Sequence, residues 1–209
     1  MKPRTDRVLF ERRRAKASSA IVSGFTPSVL ERIHSADAGL VIWRRFTQLN
    51  LLISASALLM RPPFPLRVIG TPTAATRLWC HDLMCFSGCF IPISGGSRHD
   101  FATLAASPVV QMRLEHVTDD ACCRFHVDAV GPRLLCTYAG PGTEWMECRG
   151  KIRRMTAMEV AVFKGSAYAG AGPVVLHVQN GRFLRPHPPA PRRDAGCEIA
   201  TELERDKAR

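Results

Sequence analysis

Apolar and polar positions change their rhythm along this chain near residue 108. Upstream, "SVLERI" (28–33), "GLVIWRRF" (39–46) and the apolar run "LNLLISASALLM" (49–60) read as helical, and "RPPFPLRVIGTPT" reads as a proline-rich connector. Arg61 and Pro62 end the apolar run, because proline lacks the amide proton a continuing helix needs. Downstream come short runs of β-branched and aromatic residues: "VVQMRLEHV" (109–117), "CRFHVD" (123–128), "RLLCTYA" (133–139), "EVAVFKGSA" (159–167) and "PVVLHV" (173–178). Gly/Pro turns separate them, and "AGPGT" at 139–143 marks a chain reversal. The pattern predicts an α+β fold with a single domain over 21–180, helical over 21–107 and β-rich over 108–180, the helical part packed on a small barrel. A basic flexible stretch at 1–20 and an irregular tail at 181–209 flank it. Pro186, Pro188, Pro189 and Pro191 deny the tail a regular strand.

Composition narrows the function classes. With 46% hydrophobic and 22% charged residues in 209, the chain has the make-up of a globular domain with a real core. Its net charge of +11 sits mostly at the ends: residues 1–20 carry seven Lys/Arg against Asp6 and Glu11, and 182–209 carry seven against five acids. The body is left with a modest excess and few aromatic residues, so no specific nucleic-acid partner is expected. The run at 49–60 makes about 18 Å of helix against a bilayer core of about 30 Å, so no membrane partner is expected either. No export signal is visible and the eight cysteines form no CxxC pair, which points to reduced thiols and a cytoplasmic location. Cys80, His81, Cys85 and Cys89 have spacings that fit no common zinc knuckle, and they read as core.

The chemistry concentrates at "CCRFHVDAV". In an extended segment residues i and i+2 project on one side, so His126 and Asp128 converge, either as a chelating pair or as a hydrogen-bonded pair in a core. Adjacent Cys122 and Cys123 face opposite sides, so at most one looks toward that pair. His177, in the last strand-like run, supplies a third donor if the sheet winds back, and two histidines with one carboxylate form the facial triad of non-haem Fe(II) oxygenases.

The block "RLEHVTDDACCRFHVDAVGPRLLCTYAGPGTEWM", followed by "VAVFKG" and a later histidine in a β-like context, closely resembles the bacterial family known as domain of unknown function 1826. "ADAGLVIWRR" at 36–45 is similar to that family's N-terminal segment, so the resemblance spans about 28–178. By analogy of layout, it implies a cupin-like double-stranded β-helix such as carries the 2-oxoglutarate-dependent oxygenases. On that reading His126, Asp128 and His177 hold Fe(II), 2-oxoglutarate is the co-substrate, and the substrate is an unidentified small molecule. Arg185 is the nearest match to the arginine that receives the co-substrate's distal carboxylate, with Arg182 and Lys164 as alternatives. A second reading gives the same ligands to zinc in a protein of metal homeostasis, with Cys123 or Cys136 recruited. A third is a structural His–Asp pair without metal.

The chain departs from the family at its end. Where the family has Arg-Ser-Pro after the distal histidine and then an Arg-led apolar strand, this sequence reads "LHVQNGRFLRPHPPAPRRDAGCEIATELERDKAR". The barrel is therefore expected to be incomplete at its C-terminus, with an unpaired edge. Of the remaining conspicuous residues, Trp43, Trp79 and Trp145 read as packing, Glu144 as a solvated turn acid and Tyr138 as a cavity wall. Arg133 is expected to pair with Asp119 or Asp120.

Overall fold

The computed structural model describes residues 20–46, 49, 53, 55–57, 60, 65–71, 74, 104–115, 124–147, 150–170, 172–178 and 197–199. Its strands are β1 (Ile21–Gly24), β2 (Leu40–Trp43), β3 (Pro65–Gly70), β4 (Val110–Glu115), β5 (Pro132–Ala139), β6 (Glu144–Met146), β7 (Ile152–Arg154), β8 (Val160–Lys164), β9 (His177–Val178) and β10 (Cys197–Ile199). They form a five-stranded sheet in the order β1-β2-β8-β5-β10, a pair β3-β4 and a three-stranded sheet β7-β6-β9. β1 runs parallel to β2; the other pairings are antiparallel.

All eight residues of β5 are buried, because both faces of the large sheet are covered. Leu134, Cys136 and Tyr138 pack with Val160 and Val162 against Leu30 and Ile33 of a 3-10 helix (Pro27–His34) and against Met112 and Leu114 of β4. The intervening Leu135 joins Leu40, Ile42, Ala161 and Phe163 on the other face, where they meet Trp145, Met155 and Val175 beside the small sheet. The space between the two sheets is where the candidate site lies.

Among the described residues, 21–107 is not the helical segment expected. "GLVIWRRF" contains β2, whose LVIW is a run of four apolar residues with no polar face, the pattern of a central strand buried on both sides. The connector contains β3, "SVLERI" lies in the 3-10 helix, and of 49–60 the described residues 49, 53 and 55–57 are helical. The barrel is corrected as well: the described strands do not close, because the short strands β6, β7 and β9 pair among themselves rather than with the edges of the large sheet. Within the tail, β10 pairs with β5, so the edge expected to be open there is occupied. The proline-rich 186–191 lies outside the described residues. No helix among the described residues is long and apolar enough to cross a membrane.

Candidate metal centre

His126 and His177 meet because their backbones are directly opposed. They form an isolated antiparallel bridge, each amide donating to the other's carbonyl at 3.0 Å. Opposed residues project side chains on the same side, with Cβ atoms about 5 Å apart. The two rings accordingly lie 4.9 Å apart between centroids. On its other side His177 pairs with Trp145 of β6, and its ring packs 4.3 Å from Phe163 of β8. His177 is thus clamped between the sheets.

Asp128 returns to this side two residues after His126. Its loop is pinned to the end of β8 by Gly165 N–H donating to the Gly131 carbonyl and Ser166 N–H to that of Asp128, both at 2.7 Å. Position 165 needs glycine: a Cβ there would overlap the Val130 carbonyl oxygen and lie 2.7 Å from that of Gly131.

Asp128 Oδ1 accepts from Arg133 Nη1 and lies 3.3 Å from His126 Nε2, while Oδ2 lies 3.0 Å from His177 Nε2. That last contact does not have hydrogen-bond geometry. Asp128 Oδ2 and both ring nitrogens of His177 are buried, and none has a hydrogen-bond partner among the described residues. Buried polar atoms left in this way cost stability unless something else satisfies them. Metal–donor bonds of about 2.0–2.1 Å at right angles put neighbouring donors about 3 Å apart, the spacing of Oδ2 and Nε2. One donor atom from each of His126, Asp128 and His177 falls within a 4.8 Å span. The three residues therefore fit a divalent cation.

Protonation states suit that role. His126 Nδ1 lies 3.0 Å from the Arg124 carbonyl, an acceptor only, so Nδ1–H donates there and Nε2 is the ring nitrogen left facing Asp128. Burial pushes the Asp128 carboxyl up, but the His177 contact and the charge of Arg133, with those of His177 and His126, outweigh it and lower the pKa to about 2. Side-chain exposure falls from 34% at His126 to 10% at Asp128 and 1% at His177. The centre faces solvent on the His126 side.

The other sequence-based candidates sit elsewhere. Lys164 follows Phe163 on β8 and points to the opposite face of the sheet, where its Nζ donates to the Ser35 carbonyl at 2.8 Å and lies over the Tyr168 ring. Its buried ammonium is not directed at the three ligands. Arg182, Arg185, Cys123 and Trp79 lie outside the described residues. Cys136 and Tyr138 belong to the core on the far face of β5, where Arg45 reaches Cys136 Sγ at 3.4 Å. Glu144 is a buried acid rather than a solvated one, paired with Arg154 across β6 and β7 at 2.9 Å. Trp145 packs in the core, as expected. Arg133 pairs with Asp128, five residues before it, which the sequence reading did not connect to it; the expected partners Asp119 and Asp120 lie outside the described residues.

Residues 98–177 match the family described as "Protein of unknown function (DUF1826)". The matched segment begins before β4 and ends on His177, so it contains all three candidate ligands and Arg133. The resemblance read from "FHVD" and "GPGTEW" holds over that segment. None of the curated proteins compared matches the chain. Among solved structures, a full-length Neurospora crassa protein in complex with alpha-KG matches at 12% identity, covering 86% of this chain and 78% of that one, with a TM-score of 0.47. A Pseudomonas putida prolyl-4-hydroxylase matches at 12% identity over 86% and 98%, TM-score 0.44. A Caulobacter crescentus protein ascribed to the 2OG-Fe(II) oxygenase family matches at 11% over 96% and 85%, TM-score 0.43. At these scores the likeness is loose, and the geometry of the three side chains stands independently of it.

Proposed function

We propose that the chain is a non-haem oxygenase in which His126, Asp128 and His177 hold Fe(II), with 2-oxoglutarate as co-substrate and a small molecule as substrate. The observation that carries this is the pair of buried, unsatisfied atoms, Asp128 Oδ2 and His177 Nε2, 3.0 Å apart beside a third donor. Two imidazoles and one carboxylate on one side, with the remaining positions open, suit Fe(II) chemistry. Iron bound there would supply dioxygen activation, and the co-substrate the electrons.

The protein's own part is to hold the donors and exclude water. Asp128 stays ionised far below neutral pH, keeping its charge for the cation. Trp145 and Phe163 dry the His177 side and leave the His126 side as the entry for co-substrate. The distal carboxylate of 2-oxoglutarate needs a cation; Arg133 is engaged with Asp128 and Lys164 with Ser35, so Arg185 or Arg182 is assigned that part.

Thermal unfolding tests the reading under anaerobic conditions. A ligand at a hundredfold its Kd stabilises by about 2.7 kcal/mol, so Fe(II) should raise the melting temperature visibly. 2-Oxoglutarate should add to that shift only with metal present, and His126→Ala should remove both effects. Stabilisation by Zn²⁺ without any response to 2-oxoglutarate would replace the oxygenase with a zinc protein. Indifference to every divalent ion would reduce the three residues to a structural cluster.

A further inference from the structure

We infer that Arg133 is the positioning residue of this centre: by holding Asp128 Oδ1 it turns the carboxylate so that Oδ2 alone is offered to the metal. The inference rests on the metal reading above. Arg133 opens the inward face of β5 with its side chain only 7% exposed, and its Nη1 donates to Oδ1. Oδ2, 3.0 Å from His177 Nε2, is left without a hydrogen bond. The two oxygens of one carboxylate thus do different work.

The register of the large sheet strengthens the case. Arg133 lies directly opposite Phe163 on β8, and Phe163 packs against the His177 ring. One cross-strand pair therefore braces two of the three donors, Arg133 through the carboxylate and Phe163 through the imidazole. A guanidinium has a planar fork of donors that fixes direction, whereas an ammonium is a point charge on a flexible stem. Simple neutralisation of Asp128 would need only the charge; orientation needs the fixed direction of the planar guanidinium's Nη1–H. Arg133→Lys separates the two roles.

Co²⁺ is the probe, because its visible absorption reports the ligand set while calorimetry reports affinity. Wild-type protein should bind one Co²⁺ and His177→Ala should not. Arg133→Lys should melt near the wild-type temperature without metal, yet bind Co²⁺ about 10–100-fold more weakly with an altered visible spectrum, the loss typical when a partner of a metal ligand is changed. Wild-type affinity and spectrum in Arg133→Lys would overturn the positioning role and leave the metal site standing. Failure of the wild type to bind Co²⁺ would overturn both. Should Arg133→Lys not fold, infrared difference spectra of wild-type protein carrying ¹³C-labelled aspartate decide the matter: on Co²⁺ addition one carboxylate should show the wide splitting of single-oxygen coordination. The narrow splitting of two-oxygen coordination would overturn the inference.

Discussion

Burial of Asp128 raises its pKa, and its neighbours more than reverse that effect. Its pKa falls from the ordinary 3.8 to about 2. A carboxyl whose folded value is depressed binds its proton in the unfolded chain first, so its contribution to stability is present above about pH 4 and is lost as pH falls through about 2. The shift corresponds to roughly 2 kcal/mol. Asp128→Asn should therefore be less stable than wild type by about that amount at pH 6, and urea titrations should show the gap closing as the pH approaches 2. A gap unchanged by acid would mean that Arg133 and the histidines do not stabilise the carboxylate. At this scale the His126–Asp128 pair was legible, since the i, i+2 rule works wherever the backbone is extended. His177 was legible as a donor in the last strand-like run, but its bridge to His126 was not, because that is a long-range backbone pairing. The position of Lys164 was in the sequence all along: neighbours on a strand face opposite sides, so a Phe163 that meets His177 sends Lys164 away from it.

The strands show where apolar pattern is ambiguous. β5, β8 and β4 were recognisable because Gly/Pro turns bound short apolar runs rich in β-branched residues. β2 was read as helix because four consecutive apolar residues have no period, and only the burial of both its faces decides between the two. β6 and β7 are three residues each, too short to carry any period. Between elements, the most telling constraint is at Gly165, whose missing side chain lets the 128–131 loop close on the end of β8. Gly165→Ala has no room for its methyl group beside the Val130 and Gly131 carbonyls. It should destabilise the fold by about 1–3 kcal/mol, as overpacking typically does, and weaken Co²⁺ binding in the fraction that folds. Calorimetry would check both; full metal affinity in a well-folded Gly165→Ala protein would show that this loop does not set the position of Asp128. Leu135→Ala, on the same inward face of β5, should cost about 2–5 kcal/mol in urea without a specific effect on the metal spectrum.

Among the described residues, the large and small sheets cover each other's inward faces, and a sheet stays open to further pairing at its strand edges. β10 covers one of them, pairing Cys197–Ile199 with Cys136, Thr137 and Ala139, with an irregularity in register between Cys197 and Glu198. It meets the far half of β5, whereas Arg133 lies at the near end, where β5 pairs with β8 alone among the described residues. Edge protection and the candidate metal centre are therefore spatially separate along one strand. A chain ending at residue 180 should expose the backbone donors and acceptors of β5 over 136–139, and an apolar strand with such an edge recruits other copies of itself. That truncation should melt at a lower temperature and self-associate in sedimentation velocity, while its monomeric fraction still binds Co²⁺ through His126, Asp128 and His177. Loss of Arg182 and Arg185 in the same truncation should abolish any response to 2-oxoglutarate, because these are the two arginines to which the proposed function gives the distal carboxylate. A truncated monomer that binds Co²⁺ and still gains stability from 2-oxoglutarate would remove both arginines from the site and require the distal carboxylate to be held by another group.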